Sequence, residues 1–86
     1  MSYEKVAQAK QIVVGTKQTL KAIEQGKKIE VILANDADTR ITNKVVHLCH
    51  KRNVPVMWVD AMKKLGKACG IEVGTAAVAI ILDDED

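Results

Sequence analysis

The sequence has no phenylalanine, one tryptophan, one tyrosine, one proline and two cysteines in 86 residues. With aromatics at 2% it lacks the rows of ring faces on which single-strand binders stack successive bases. Its core must be aliphatic. Cys49 and Cys69 are too few for a disulfide scaffold and read as reduced thiols of an intracellular protein. Serine occurs only at Ser2, and neither cysteine has a histidine partner in a glycine-rich pocket, so nucleophilic catalysis has no obvious agent. The segment Met1-Ser2-Tyr3-Glu4-Lys5 lacks the basic stretch and apolar run of a signal peptide. No apolar run approaches the roughly 20 residues of a membrane span. These absences lead us to expect a cytoplasmic protein that is not an enzyme, contacts no membrane and needs no cofactor.

Aliphatic mass is plentiful. Hydrophobic residues make up 48% of the chain, which a domain this short needs, because it buries only about 60% of the surface its unfolded chain exposes. One domain is expected over residues 1–82, followed by an acidic tail at 83–86. The net charge of +2 conceals an asymmetry: Asp83, Asp84, Glu85 and Asp86 hold four of the 11 acids, so residues 1–82 carry 13 bases against 7 acids. A basic body of this size suits phosphate binding through release of condensed counterions, and equally suits a lysine-solvated surface.

Along the chain, Ser2 to Lys10 reads as a short helix capped by Ser2. The β-branched run Ile12-Val13-Val14 reads as a buried strand. Thr16 to Gln25 reads as a helix stopped by Gly26. Ile29 to Ala34, apolar except for Glu30, reads as a strand covered on both faces. Asp38 is placed to cap a helix running to about Arg52 with Ile41, Val45, Leu48 and Cys49 as its apolar stripe. Val56 to Val59 is a third strand, Asp60 is placed to cap a last helix to Gly70, and Ala76 to Leu82 is the fourth strand. Gly66 inside that helix costs about 1 kcal/mol relative to alanine, a sign of close packing or close ligand approach. The alternation αβαβαβαβ implies an α/β fold with helices on both faces of a mostly parallel four-stranded sheet.

Several constellations compete for the chemistry. His47 and His50, three apart on a helix, lack a third metal ligand. Asp36 and Asp38 match an acid–base pair on paper but match turn and cap residues at a strand-to-helix corner better. Gly66-Lys67-Ala68-Cys69-Gly70 has neither the spacing nor the preceding strand of a dinucleotide loop. Gly15-Thr16-Lys17-Gln18-Thr19-Leu20-Lys21 differs from these. There a strand ends in glycine and enters a helix whose first turn offers unpaired N–H groups, a hydroxyl, an amide and two lysines, either an anion site with side chains to read a ligand or an ordinary solvated helix start.

That segment, together with Val31-Ile32-Leu33-Ala34-Asn35-Asp36-Ala37-Asp38, Leu65-Gly66-Lys67-Ala68-Cys69-Gly70-Ile71-Glu72-Val73 and Ala76-Ala77-Val78-Ala79-Ile80-Ile81, resembles the kink-turn RNA-binding ribosomal proteins, the large-subunit seven-Ae and thirty-e group with its small bacterial members. The resemblance spans nearly the whole chain. It implies a three-layer αβα sandwich, with a central four-stranded sheet mostly parallel or mixed, that binds an RNA internal loop with tandem sheared G·A pairs, a short bulge and a sharp bend, in ribosomal or regulatory RNA, with the ribosome as a further partner; the protein is expected to be a monomer. A regular A-form major groove is too narrow for side chains, and the bend opens it. On this model Gly15 starts the reading helix, Thr16 sets its approach, Lys17 and Gln18 face guanine edges, and Lys21 with the first-turn N–H groups holds phosphates. The loop Ile71, Glu72, Val73, Gly74 and Thr75 covers extruded bulge nucleotides, helped by Asp36. Many family members carry Asn-Glu where this chain has Lys17-Gln18. A lysine donates to guanine O6 or N7 but accepts nothing, which bears on affinity and on the choice of loop sequence. Relatives also carry small alanines where this chain has Gly74-Thr75. Two other readings remain at this point: a protein-binding adaptor of the ribosome or transcription machinery without RNA-shape specificity, and a small hydrolase using the histidine pair.

Overall fold

Side chains alternate across a strand, so the apolar run from Ile29 to Ala34 needs cover on both faces. The computed structural model describes residues 2–82 and supplies that cover. Its elements are α1 (Ser2–Gln8), β1 (Ile12–Val14), α2 (Thr16–Glu24), β2 (Ile29–Ala34), α3 (Thr39–Arg52), β3 (Val56–Val59), α4 (Met62–Ala68) and β4 (Ala77–Ile81). On one face of the sheet Val31 and Leu33 pack with Ala22 and Ile23 of α2 and Val45 and Cys49 of α3. On the other, Ile32 and Ala34 pack with Val6 of α1 and Leu65 of α4. Glu30 falls on the α1 side, where Lys5 Nζ meets its carboxylate at 2.9 Å. The acidic residues 83–86 and the Ser2 side chain expected to cap α1 lie outside what is described.

The α/β class, the three layers and a four-stranded mixed sheet are as expected. The mostly parallel pairing is not. The sheet order is β1-β4-β2-β3; β2 and β3 are parallel, while β4 is antiparallel to both β1 and β2. The return from α4 explains this. After Gly70, which turns the chain at φ 83°, the backbone runs back along α4. Ile71 N–H donates to Gly66 O at 3.1 Å and Thr75 N–H to Met62 O at 3.1 Å. This extended return puts the start of β4 at the end of the sheet where β3 finished, so β4 runs opposite to the other three strands.

Local chemistry sets most boundaries. Asp38 caps α3 by accepting from Arg40 N–H at 2.9 Å, and Asn53 ends that helix in the left-handed region. Two expectations need correction. Asp60 does not cap α4, whose N-cap position is Ala61; its carboxylate accepts from the Tyr3 hydroxyl and from Lys64 Nζ at 3.2 Å. The α4 N-terminus is instead satisfied from another corner, by Asp36 Oδ1 accepting from Met62 N–H at 2.9 Å. Nor does Ile41 belong to the core stripe of α3. Thr42, Val45 and Cys49 are buried there, while Ile41 is 39% exposed.

Candidate nucleic-acid interface

The strand directions bring four connections to one end of the sheet. Ala34 N–H donates to Ala76 O at 3.0 Å and Asn35 N–H to Val59 O at 2.8 Å, which ties the exits of β2 and β3 to the entry of β4. Gly15, at the exit of β1, donates its N–H to Ala77 O at 2.9 Å. That same carbonyl accepts the Thr75 hydroxyl at 3.1 Å. One backbone oxygen thus joins the helix start at Gly15–Lys21 to the loop Ile71–Thr75.

Gly15 has φ 104° and ψ 154°. An alanine Cβ there would meet no atom within 4 Å, so glycine is required by backbone conformation and not by space. From that turn α2 begins with no side-chain cap and no acidic residue in its first turn. Among the described residues, the N–H groups of Thr16, Lys17 and Gln18 have no partner. Such groups carry the positive end of the helix dipole and favour an anion. Thr19, Ala22 and Ile23 turn into the protein, which leaves Lys17, Gln18 and Lys21 on a solvent-facing arc of about 100°. Thr16 is half-buried beneath them. The Thr19 hydroxyl is fully buried without a hydrogen-bond partner.

The second segment is less uniformly apolar in space than in sequence. Val73 projects at 69% exposure, Ile71 is half-buried, and Glu72 and Gly74 face solvent. Thr75 is turned inward and anchors the loop through Ala77, so the apolar cover comes from Val73 and Ile71. Gly66 explains how the loop is held. A Cβ on Gly66 would lie 1.9 Å from Val73 O, so the glycine admits the loop backbone against α4. This is the close packing anticipated for it. Asp36, exposed at the β2–α3 corner, is engaged with Met62 N–H and fixes the position of α4 beneath the loop.

Three features of this end were not singled out in the sequence. Ala77 contributes only a carbonyl, which no side-chain pattern announces. Ile41 looks like a core residue by spacing. Arg40 lies across Asp38, with Nη2–Oδ2 at 2.7 Å and Nε–Oδ1 at 3.2 Å; these bonds hold the Asp38 carboxyl below its ordinary range.

His47, Cys49 and His50 lie in the second half of α3, away from its N-terminal cap at Asp38. His47 and His50 are exposed around the buried Cys49, and among the described residues no cluster of three or more His, Cys, Asp or Glu could hold a metal ion. Burial pushes the Cys49 thiol up to about 11, the opposite of what a nucleophile requires. A depression of about 900 Å³ opens beside β3 and α1, but Lys5, Asp60 and Lys64 in its wall are already paired. Among the described residues no helix is long and apolar enough to cross a membrane.

Comparison with known proteins bears on the family and the fold. Residues 2–86 match the family model described as the ribosomal protein L7Ae/L30e/S12e/Gadd45 family. An RNA-binding protein of Geobacillus sp. strain WCH70 is 63% identical over 81 residues, spanning 94% of this chain and 99% of that protein. The RNA-binding protein YbxF of Geobacillus stearothermophilus is 60% identical over 81 residues, with the same shares covered. Among solved structures, the 15.5kD RNA binding protein of Giardia lamblia superposes with a TM-score of 0.81 at 32% identity, over 95% of this chain and 69% of that one.

Proposed function

The chain belongs to the ribosomal protein L7Ae/L30e/S12e/Gadd45 family, and on that premise we propose that it is a non-catalytic RNA-binding protein whose target is a kink-turn in ribosomal or regulatory RNA. The observation that carries this reading is the shared acceptor at Ala77. Gly15 N–H and the Thr75 hydroxyl meet on one carbonyl, so a helix start suited to phosphates and a loop with an apolar tip are fixed relative to each other before any ligand arrives. Preorganisation of this kind lowers the ordering cost of binding.

Each segment takes one part of a bent RNA. The N–H groups at the start of α2, with Lys21, hold phosphates beside the tandem G·A pairs, where the bend admits a helix into an otherwise narrow major groove. Lys17 and Gln18 reach guanine edges. Lysine donates to O6 or N7, and the glutamine amide both donates and accepts, so Gln18 is the residue that distinguishes a sheared pair. Thr16 sets the depth of approach. Val73 and Ile71 cover an extruded nucleotide, and Asp36 holds the platform on which that loop rests. Because such a protein binds only the bent form, it shifts the RNA toward it by its differential affinity.

The test is a titration at fixed physiological salt against a kink-turn duplex and the same duplex with its G·A pairs replaced by Watson–Crick pairs. Strong preference for the first is expected. Lys21→Ala should weaken binding and lower the salt slope by about 1, whereas Gln18→Ala should erode the preference itself. Equal, weak, salt-sensitive binding to both duplexes would overturn the reading and leave a basic surface suited to a protein-docking adaptor.

A further inference from the structure

The first turns of α2 and α3 enclose an open groove of about 570 Å³ whose α3 wall the two proposed RNA-contacting segments leave unused. It is lined by the apolar Leu20 and Ile41, the cationic Lys17, Arg40 and Lys44, and Thr16 and Asp38. The charge is unbalanced. Asp38, the one carboxylate in the lining, is already occupied by the Arg40 guanidinium and the Arg40 backbone N–H, so two positive charges remain in surplus. Neither α2 nor α3 carries an acid in its first turn. The Arg40 side chain is 89% exposed and commits two of its five N–H donors to Asp38, leaving the outer part of its fork free. Arg40 and Lys44 lie one turn apart on the same face, about 6 Å along the helix axis. Between them Ile41 shows solvent an apolar surface that the core does not use.

An anion with an apolar side fits this groove, and sugar–phosphate backbone is such a chain. The groove is also continuous with the proposed interface, because Lys17 belongs to both. We propose that the first two turns of α3 are a second RNA-contacting element: Arg40 and Lys44 hold one run of phosphodiester backbone while a ribose rests on Ile41, beside the base that Lys17 reaches. This rests on the RNA-binding reading above and extends it, since it places contacts beyond the helix start and the apolar loop. The contacts are to backbone. They add affinity and orientation without reading sequence.

The experiment measures the salt dependence of binding to the kink-turn duplex and its Watson–Crick counterpart for Arg40→Gln, Lys44→Gln and the double variant. Lys51→Gln, the same charge change at an exposed site in the last turn of α3, is the control. Each groove variant should lower the slope of log K against log salt by about 0.7–0.9, and the double variant by about twice that. The preference for G·A pairs should survive, and Lys51→Gln should match wild type. Arg40→Gln keeps the backbone cap to Asp38, and Lys44→Gln touches no described hydrogen bond, so the latter decides the question if the former proves unstable. Should wild type prefer the kink-turn while both groove variants keep its salt slope, the groove proposal falls and the RNA reading stands. Should wild type show no preference, the kink-turn reading falls, and a lowered slope in the groove variants still upholds a backbone site. Perturbation of the Arg40 and Lys44 side-chain NMR signals by polyglutamate but not by RNA would overturn the proposal in favour of an acidic protein partner.

Discussion

Gly66→Ala reverses the usual effect of replacing a helical glycine. In an ordinary helix interior the change gains about 1 kcal/mol, because alanine loses less backbone freedom on folding. Here the new Cβ would lie 1.9 Å from Val73 O, 2.9 Å from Val73 C and 3.1 Å from the Gly74 Cα. All three are backbone atoms, so no side-chain rotation relieves the clash. The loop must move away from α4 by more than an ångström. That movement strains the bonds from Ile71 N–H to Gly66 O and from Thr75 N–H to Met62 O, both 3.1 Å, and pulls the Thr75 hydroxyl from Ala77. Two to three hydrogen bonds at about 1 kcal/mol each, less the helix gain of about 1 kcal/mol, leave a net destabilisation of roughly 1–2 kcal/mol. For a domain of this length that is a fall of roughly 4–15 °C in Tm. Urea unfolding of wild type and Gly66→Ala gives the free energy, and titration with kink-turn RNA gives the functional consequence, expected as a loss of affinity through displacement of Val73. A Gly66→Ala protein as stable as wild type, or more so, with unchanged affinity would refute the packing argument.

Other perturbations test the remaining links. Asp36→Ala removes the acceptor for Met62 N–H in a helix with no other side-chain cap, and should cost about 1 kcal/mol, read from denaturant midpoints; Asp36→Asn should recover most of it. Thr75→Val keeps the shape and removes the hydroxyl that joins the loop to Ala77. It should weaken RNA binding more than it lowers Tm, and equal, small effects on both would count against a positioning role. The stability that Cys49 contributes by keeping its proton when folded is complete below the ordinary thiol value of 9.0 and is lost as pH rises through about 11. Urea midpoints across that range should fall more steeply for wild type than for Cys49→Ala. Alkylation followed by mass spectrometry at pH 8 should reach the half-buried Cys69 first and the buried Cys49 only on unfolding.

Much of this structure is legible in the residues, and the exceptions share a cause. Ile12-Val13-Val14, Ile29 to Ala34 and Val56 to Val59 announce strands because β-branched and apolar runs bounded by turn residues have few alternatives. The Asp38 cap is equally plain. What eludes sequence is long-range. The alternation of helix and strand implies parallel neighbours, and only the return of residues 71–75 along α4 places β4 antiparallel between β1 and β2. Asp60 has the right chemistry and position for a cap, yet Asp36, distant in sequence, takes that role because the β2–α3 corner lies beside the α4 N-terminus. Ile41 fits a helical stripe by spacing alone, and its exposure depends on where α2 packs. In the candidate interface, the side chains of α2 could be named from sequence because a glycine, a short helix and its polar arc are local. The carbonyl of Ala77, which joins its two halves, could not.

The position of β4 also bears on how the protein is made. It is a central strand, paired on both sides, yet it comes after the other three in the chain. Ile12 finds its partner in Ile80, so β1 has no strand beside it until residues 77–81 have left the ribosome. Contacts of such sequence separation raise the contact order and slow folding relative to a helical bundle. Until then the nascent chain displays β2 with an open edge, the kind of surface that recruits chaperones or other unfinished chains. Synthesis must therefore run past residue 81, and those residues must emerge, before the sheet can close. Gly15 and Thr75 meet on Ala77 only at that moment, so a nascent chain halted earlier has not assembled the candidate interface.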